Sequence, residues 1–204
     1  NFSDTTFLFA ICFTGSKFNK FPQFANAKIY NDGFFDEVQF MIGAGFSGVR
    51  FCECAAVFWD TCFDGTANFI NSHFEGEAFF EGCWFGEIAE FSGAKFDSNT
   101  FFDKSEFKGS AQFGAFIDRK GTLFSGEILS FIDAKFTESK TQEEACRKAK
   151  NVLEKNGNRE DAGYHFYREM EARRKRKTWY YRYPEYVFIQ LIFGYGVYPF
   201  RLWL

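Results

Sequence analysis

Phenylalanine recurs along the first two-thirds of this chain at spacings that alternate between five and six residues. One series runs Phe7, Phe18, Ile29, Phe40, Phe51 and the other Phe13, Phe24, Phe35, Phe46, each with a period of 11. One extra residue near Cys52–Val57 shifts both series. They resume as Phe63, Phe74, Phe85, Phe96, Phe107 and as Phe58, Phe69, Phe80, Phe91, Phe102, Phe113, so that 19 of these 20 positions are Phe and one is Ile. Steps of five and six cannot hold one face of a 3.6-residue helix, and glycine is too frequent for one. The period demands an array in which each unit repeats the same inward side chain.

A second column supports that reading. Two residues before each Phe from 40 to 113 stand Val38, Ala44, Val49, Ala56, Thr61, Ala67, Ser72, Ala78, Cys83, Ala89, Ala94, Thr100, Ser105 and Ala111, all small. Residues two apart in an extended chain point to the same side, so each short strand turns one Phe and one small residue inward. Glycine often follows two residues after the Phe, at 48, 65, 76, 82, 93 and 109, where a corner needs a permissive backbone. The predicted solution is a solenoid of short strands stacked by main-chain hydrogen bonds, with identical side chains forming internal ladders. Its structural ladder is Phe40, Phe46, Phe51, Phe58, Phe63, Phe69, Phe74, Phe80, Phe85, Phe91, Phe96, Phe102, Phe107 and Phe113.

The unit Ala89-Glu90-Phe91-Ser92-Gly93-Ala94-Lys95-Phe96 resembles the pentapeptide-repeat family in its Phe-rich variant. The resemblance implies a mainly β fold, a right-handed quadrilateral β-helix, followed here by an α-helical segment. Two 11-residue units would make one coil, so Phe7 to Phe136 would hold roughly six coils at ~4.8 Å each. The pattern blurs at 114–132 and recovers at Phe131, Ala134 and Phe136, which predicts an irregular last coil.

At Thr137 the Phe period stops. Thr141-Gln142-Glu143-Glu144 reads as a capping box, and Ala145, Ala149, Val152 and Leu153 follow at helical spacing. Asn156-Gly157 should end this helix and Asn158 cap a second one carrying Ala162, Phe166 and Met170, with Glu169–Arg173 and Glu171–Lys175 as i,i+4 pairs. The expected domains are 1–136 for the β-helix, 137–178 for a helical pair capping the solenoid, and 179–204 for an aromatic juxtamembrane segment. Helix 141–155 would cover the open coil edge, which otherwise invites strand pairing.

Charge divides along the same line. Residues 1–136 hold 10 lysines and arginines against 18 acids, a balance of −8, and residues 137–204 hold 14 against 9, a balance of +5. The basic run Arg173, Arg174, Lys175, Arg176, Lys177 precedes Trp179, Tyr180 and Tyr181, and 11 of the 26 residues in 179–204 are aromatic. A basic cluster, an aromatic belt and an apolar run come in this order on the cytoplasmic side of a membrane. The apolar part, Tyr186–Phe193, is shorter than the ~20 residues a span needs, so the chain reads as part of a longer protein that continues into one. Phe166-Tyr167-Arg168-Glu169-Met170 and Gly194-Tyr195-Gly196-Val197-Tyr198-Pro199-Phe200-Arg201 resemble the junction of archaeal-type pentapeptide-repeat proteins with an ion-channel-like membrane region.

Other motifs carry less. Gly194-Tyr195-Gly196 lacks the Thr-Val lead and the pore helix of a potassium filter. Cys52, Cys54 and Cys62 are three sulfurs where structural zinc takes four ligands, and they coincide with the register shift, where small fillers on a bulge are expected. The six cysteines read as reduced thiols in a chain whose core needs no staples. His73 and His165 sit in unrelated segments, and no catalytic constellation, metal set or cofactor motif can be assembled. The expectation is a non-enzymatic scaffold or interaction domain, the cytoplasmic part of a channel-like membrane protein, with the membrane surface and an unidentified protein as partners and an oligomer if the whole is a channel. The alternative is a soluble, DNA-mimicking module directed at a topoisomerase. Nucleic acid is disfavoured as a partner, because −8 spread over the repeat is sparse beside the phosphate density of a duplex.

Overall fold

The computed structural model describes residues 1–114 and 121–177. The chain divides into two compact units, Asn1–Thr137 and Glu138–Leu204. Trp179, Tyr180, Tyr181 and the whole of 179–204 lie outside the described residues, as does the middle of the blurred stretch at 115–120.

The first unit is a parallel β-solenoid of about five turns. Among the described residues, two-residue strands stack into four sheets, three of them six-stranded and one four-stranded and lengthened by a bridge from Gln23 to Gly45. Register advances by 22 residues per coil, as in Lys28↔Arg50. It advances by 23 at Gly33↔Ala56, which locates the extra residue of the sequence within Cys52–Ala55. There Glu53 takes φ 54°. The last coil is longer, pairing Lys95 with Leu123 and Thr100 with Leu129. The six or seven added residues take up part of the difference between about five turns and the six expected from a uniform coil. Within the irregular stretch expected at 114–132, the described strands return to register at Leu123 and Leu129.

All fourteen ladder phenylalanines are buried, none more than 1% exposed. They form columns of near-parallel rings, such as Phe46–Phe69–Phe91 at 4.9 and 5.0 Å and Phe58–Phe80–Phe102 at 4.9 and 4.9 Å. Rings of these two columns meet edge to face, Phe58–Phe69 at 5.5 Å and 89° and Phe69–Phe80 at 5.3 Å and 84°. Stacked and T-shaped pairs both suit the ring quadrupole. The small column is buried with them; of its polar members, Ser72 and Thr100 bond to the Phe69 and Ser98 carbonyls of their own coil and the other three to carbonyls of the preceding coil. Cys83 Sγ donates to the Phe58 carbonyl at 2.8 Å, Ser105 Oγ to Phe80 at 2.5 Å, and Thr61 Oγ1 to Phe35. Hydroxyls inside an apolar core therefore cost little.

The corner glycines serve two purposes. Gly48, Gly82 and Gly93 adopt φ of 68°, 68° and 74°, yet Asp60, Asn71 and Lys104 hold the equivalent corner with φ of 52° to 58°. At Gly76, by contrast, an added Cβ would lie 2.6 Å from the Cys54 carbonyl carbon. There it is the closeness of stacked coils that excludes a side chain.

In the second unit, helix α1 spans Ser139–Lys155 and α2 spans Arg159–Lys175. The turn is as the sequence predicts: Gly157 at φ 81° follows the C-cap Asn156, the Asn158 amide donates to the Leu153 carbonyl at 2.9 Å, and the Asn158 side chain caps α2 at the Asp161 amide. The start of α1 differs. Thr141 is not the cap but sits buried in the first turn, donating to the Glu138 carboxylate at 3.2 Å, with Glu138 as N-cap. Gln142 bonds the Arg168 carbonyl at 3.2 Å and so holds that first turn against α2, which carries the helix back to Ser139. The buried stripe of α2 also differs, comprising Ala162, His165, Glu169 and Ala172, while Phe166 and Met170 are half-buried. Glu169 can lie inside because Lys150 and Arg173 meet it at 2.9 and 3.0 Å.

Candidate interaction surface

With the interior occupied by Phe and small residues, chemistry is left to the outward positions, one residue before and one after each inward Phe. The four faces differ in what they present. On the first face the column Lys28, Arg50, His73, Lys95 stands beside Glu75 and Asp97, and Arg50 pairs with Glu75 and His73 with Asp97. Its charges largely answer one another. The face carrying Gln39, Cys62, Trp84 and Glu106 is mixed, with Lys108 over the Trp84 ring at 4.8 Å. The face of Asn68, Glu90 and Gln112 presents amides and a carboxylate.

The remaining face is apolar. Phe34, Val57, Phe79, Phe101 and Ser130 are stacked neighbours along it, each directly before a buried ladder residue. Phe79 and Phe101 stack at 5.4 Å with a 7° tilt, and Trp59, 45% exposed, meets Phe79 edge-on at 5.6 Å. Phe34, Phe79 and Phe101 are half-buried, while Val57 between them, 4% exposed, and Ser130 beyond them are buried. The strands hold this stripe rigidly, because their amides and carbonyls are spent between coils, as in Phe58 N–H to Phe79 O at 2.8 Å and Phe80 N–H to Phe101 O at 2.8 Å.

Carboxylates line both sides. On one edge Asp32 accepts from the Ala55 amide at 2.9 Å and Glu77 from Asn99 at 3.2 Å. On the other, Asp36 accepts from Thr14 at 2.9 Å and Glu81 from the Trp59 indole at 2.6 Å. A carboxylate offers about four acceptor sites, so these bonds orient the groups without exhausting them. A groove of about 600 Å³ runs along the second edge from Trp59 to Ile132, past Asp60, Glu81, Asp103 and Lys104.

Sequence reasoning placed the inward ladder but missed this stripe. The signal was present as the doublets Phe34-Phe35, Phe79-Phe80 and Phe101-Phe102. If the second Phe of a doublet is inside, the first must be outside.

Cys52 and Cys54 of the bulge are buried as packing groups, whereas Cys62 lies outward on the mixed face and bonds Asp64 at 3.2 Å. Cys54 donates to the Ile29 carbonyl at 3.3 Å, and burial pushes its thiol up to about 12 and that of Cys62 up to about 11. Among the described residues no cluster of His, Cys, Asp or Glu has metal-site geometry. The basic run closes α2: Arg173, Arg174 and Lys175 form its last turn, Arg176 is the C-cap and Lys177 follows. Lys175 meets Glu171 at 3.2 Å, and Glu143 alone faces Arg147, Arg173 and Arg176 at 3.9, 3.4 and 2.6 Å. Among the described residues no helix is long and apolar enough to cross a membrane.

Fold and surface define a class: a repeat protein of the parallel β-solenoid kind, with a Phe-filled interior and a pair of helices after it. Residues 58–106 match the family model for pentapeptide repeats (9 copies), so the middle of the solenoid is similar to that family. The chain has no significant match among curated proteins, nor among solved structures.

Proposed function

We propose that this chain is a non-enzymatic interaction scaffold, whose solenoid holds the Phe34–Phe101 face flat for a protein partner. The half-buried aromatic stripe, with Trp59 exposed beside it, supports the reading, since apolar surface gathered on a rigid element is the mark of a binding site and aromatic residues dominate interface energetics. The alternative of a duplex-DNA mimic finds less support, because Lys28, Arg50 and Lys95 interrupt the acidic surface on one face and a balance of −8 over the repeat is sparse beside duplex phosphate. A photo-crosslinking residue at position 79 should yield one discrete adduct in the native cell, and the same residue at 112 on the amide face none. Excess unlabelled chain should compete the adduct away, and a Phe34→Ser/Phe101→Ser chain should not. Equal adduct patterns from both positions would refute the scaffold face.

A second reading concerns the end of α2. Five cations, Arg173 to Lys177, close α2, and one carboxylate there, Glu143, is shared by Arg147, Arg173 and Arg176. The aromatic-rich sequence 179–204 follows directly. This order favours an approach to an anionic membrane surface, in a protein whose later part is a channel-like membrane region. Co-sedimentation with anionic vesicles tests it: residues 1–204 should pellet and a chain ending at Thr178 should not, and both staying in solution would remove the reading.

A further inference from the structure

The apolar face lacks something that most strand-binding surfaces have, which is an available main chain. Its amides and carbonyls already bond to the coils above and below, as between Phe35 and Val57 at 2.7 Å and Phe102 and Ser130 at 2.9 Å. An extended peptide laid along this face would find no backbone partners and would leave its own groups unmet. A helix satisfies its backbone internally and needs only side-chain contact. The dimensions agree. Phe34, Val57, Phe79 and Phe101 lie on four successive coils, three steps of ~4.8 Å or roughly 14 Å, the length of about ten helical residues.

Charge selects the helix. The stripe is walled by Asp32 and Glu77 on one edge and by Asp36 and Glu81 on the other. An apolar seam lying on the phenylalanines therefore has its two shoulders over carboxylates, where acidic shoulders are repelled and basic ones attracted. We infer that this face docks an amphipathic helix of a partner protein, its apolar seam on the Phe34–Phe101 stripe and its flanking lysines or arginines against the two acidic edges. The inference rests on the reading of the solenoid as a scaffold and names the chemistry of its partner. Trp59, hydrogen-bonded to Glu81 and exposed beside it, offers an aromatic surface to one of those cations.

The test uses the full chain and a fluorescein-labelled synthetic helix of about 14 residues, with a leucine seam and lysine shoulders, followed by anisotropy. Companion peptides carry glutamine or glutamate shoulders, or the same composition with the leucines scattered. The lysine helix should bind, and the glutamine, glutamate and scattered peptides should each bind at least tenfold more weakly. Phe79→Ser/Phe101→Ser and, separately, Glu77→Lys/Glu81→Lys should each weaken the lysine helix at least tenfold, while Glu90→Lys on the amide face should change it less than twofold. Circular dichroism checks that the variants fold, and the charge-reversed pair keeps the test open should the serine pair fail to fold. Equal affinity for the scattered peptide, or for both doubly substituted chains, would overturn the inference. If the glutamine or glutamate helix binds best and loses affinity in Phe79→Ser/Phe101→Ser, the partner chemistry is wrong and the scaffold face stands. If no helix binds, the inference falls, and the crosslinking at position 79 decides separately whether the face is used.

Discussion

Replacing Phe69 by alanine tests the ladder where it is most enclosed. Phe69 is fully buried, stacked between Phe46 and Phe91 at 4.9 and 5.0 Å, with Phe58 and Phe80 meeting it edge-on. Burying the side chain contributes about 1.5–3 kcal/mol, and each well-placed ring pair adds ~0.5–1.5 kcal/mol. With four such pairs the low end of the sum, about 3.5 kcal/mol, falls within the ~3–5 kcal/mol that buried Phe→Ala substitutions cost once the cavity is counted. Phe69→Leu keeps most of the buried area but loses the four ring pairs, so it should cost about 2 kcal/mol, less than the alanine. The natural Ile29, fully buried in its own column, shows that the fold accepts an aliphatic side chain there. Phe2 is half-buried and has one stacked neighbour, Phe24 at 4.8 Å, so Phe2→Ala should cost about half as much as Phe69→Ala. Equilibrium urea unfolding followed by circular dichroism measures all three, with a midpoint shift of roughly 2 M for Phe69→Ala. A cycle adding Phe91→Ala should show coupling with Phe69→Ala and none with Phe2→Ala. Equal losses at Phe2 and Phe69, or a loss below about 1 kcal/mol at Phe69, would refute the stacked-ladder account.

Three further expectations follow from the geometry. His165 is buried in α2 and its pKa is lowered to about 4, chiefly by desolvation and then by Arg168, with Asp161 opposing. Its unfolded form titrates near 6.5, so its neutral form stabilises fully above that pH, and stability is lost as pH falls from about 6.5 to 4, by up to about 3 kcal/mol. Hydrogen exchange at α1 amides should show this slope, and His165→Leu should flatten it. Gly76→Ala should destabilise by more than about 2 kcal/mol in thermal melts because the Cys54 carbonyl leaves no room, whereas Asn71→Gly, at φ 55°, should be neutral or stabilising. Deleting Glu53 should lower Tm only slightly, since it removes the extra residue of the Cys52–Ala55 corner; deleting Asp97 should unfold the coils that follow, because every later strand would turn its inward residues out.

The solenoid was legible in the sequence because its interior is one-dimensional. Every coil repeats the same inward demand, so the periods of Phe and of the small residues state the fold, its corners and even its single-residue insertion. The helix turn at Asn156-Gly157-Asn158 was legible for a similar reason, since capping is local chemistry. What escaped was decided by neighbours far apart in sequence. Thr141 carries the sequence signature of a cap, yet Gln142 binding Arg168 draws α1 back to Ser139. Phe166 and Met170 have the hydropathy of a core, but Ala162 and Ala172 let the helices approach, and Lys150 neutralises the Glu169 that lies between them.

The functional face shows the same division. Each Phe-Phe doublet announces an outward ring, but only stacking, 22 or 23 residues apart, brings Phe34, Val57, Phe79 and Phe101 into one stripe between two rows of carboxylates. The sequence by itself determined what faces inward, because packing a closed coil admits few side chains. The tertiary structure decided which outward residues become neighbours, because that depends on the register of coils, and a single inserted residue resets it.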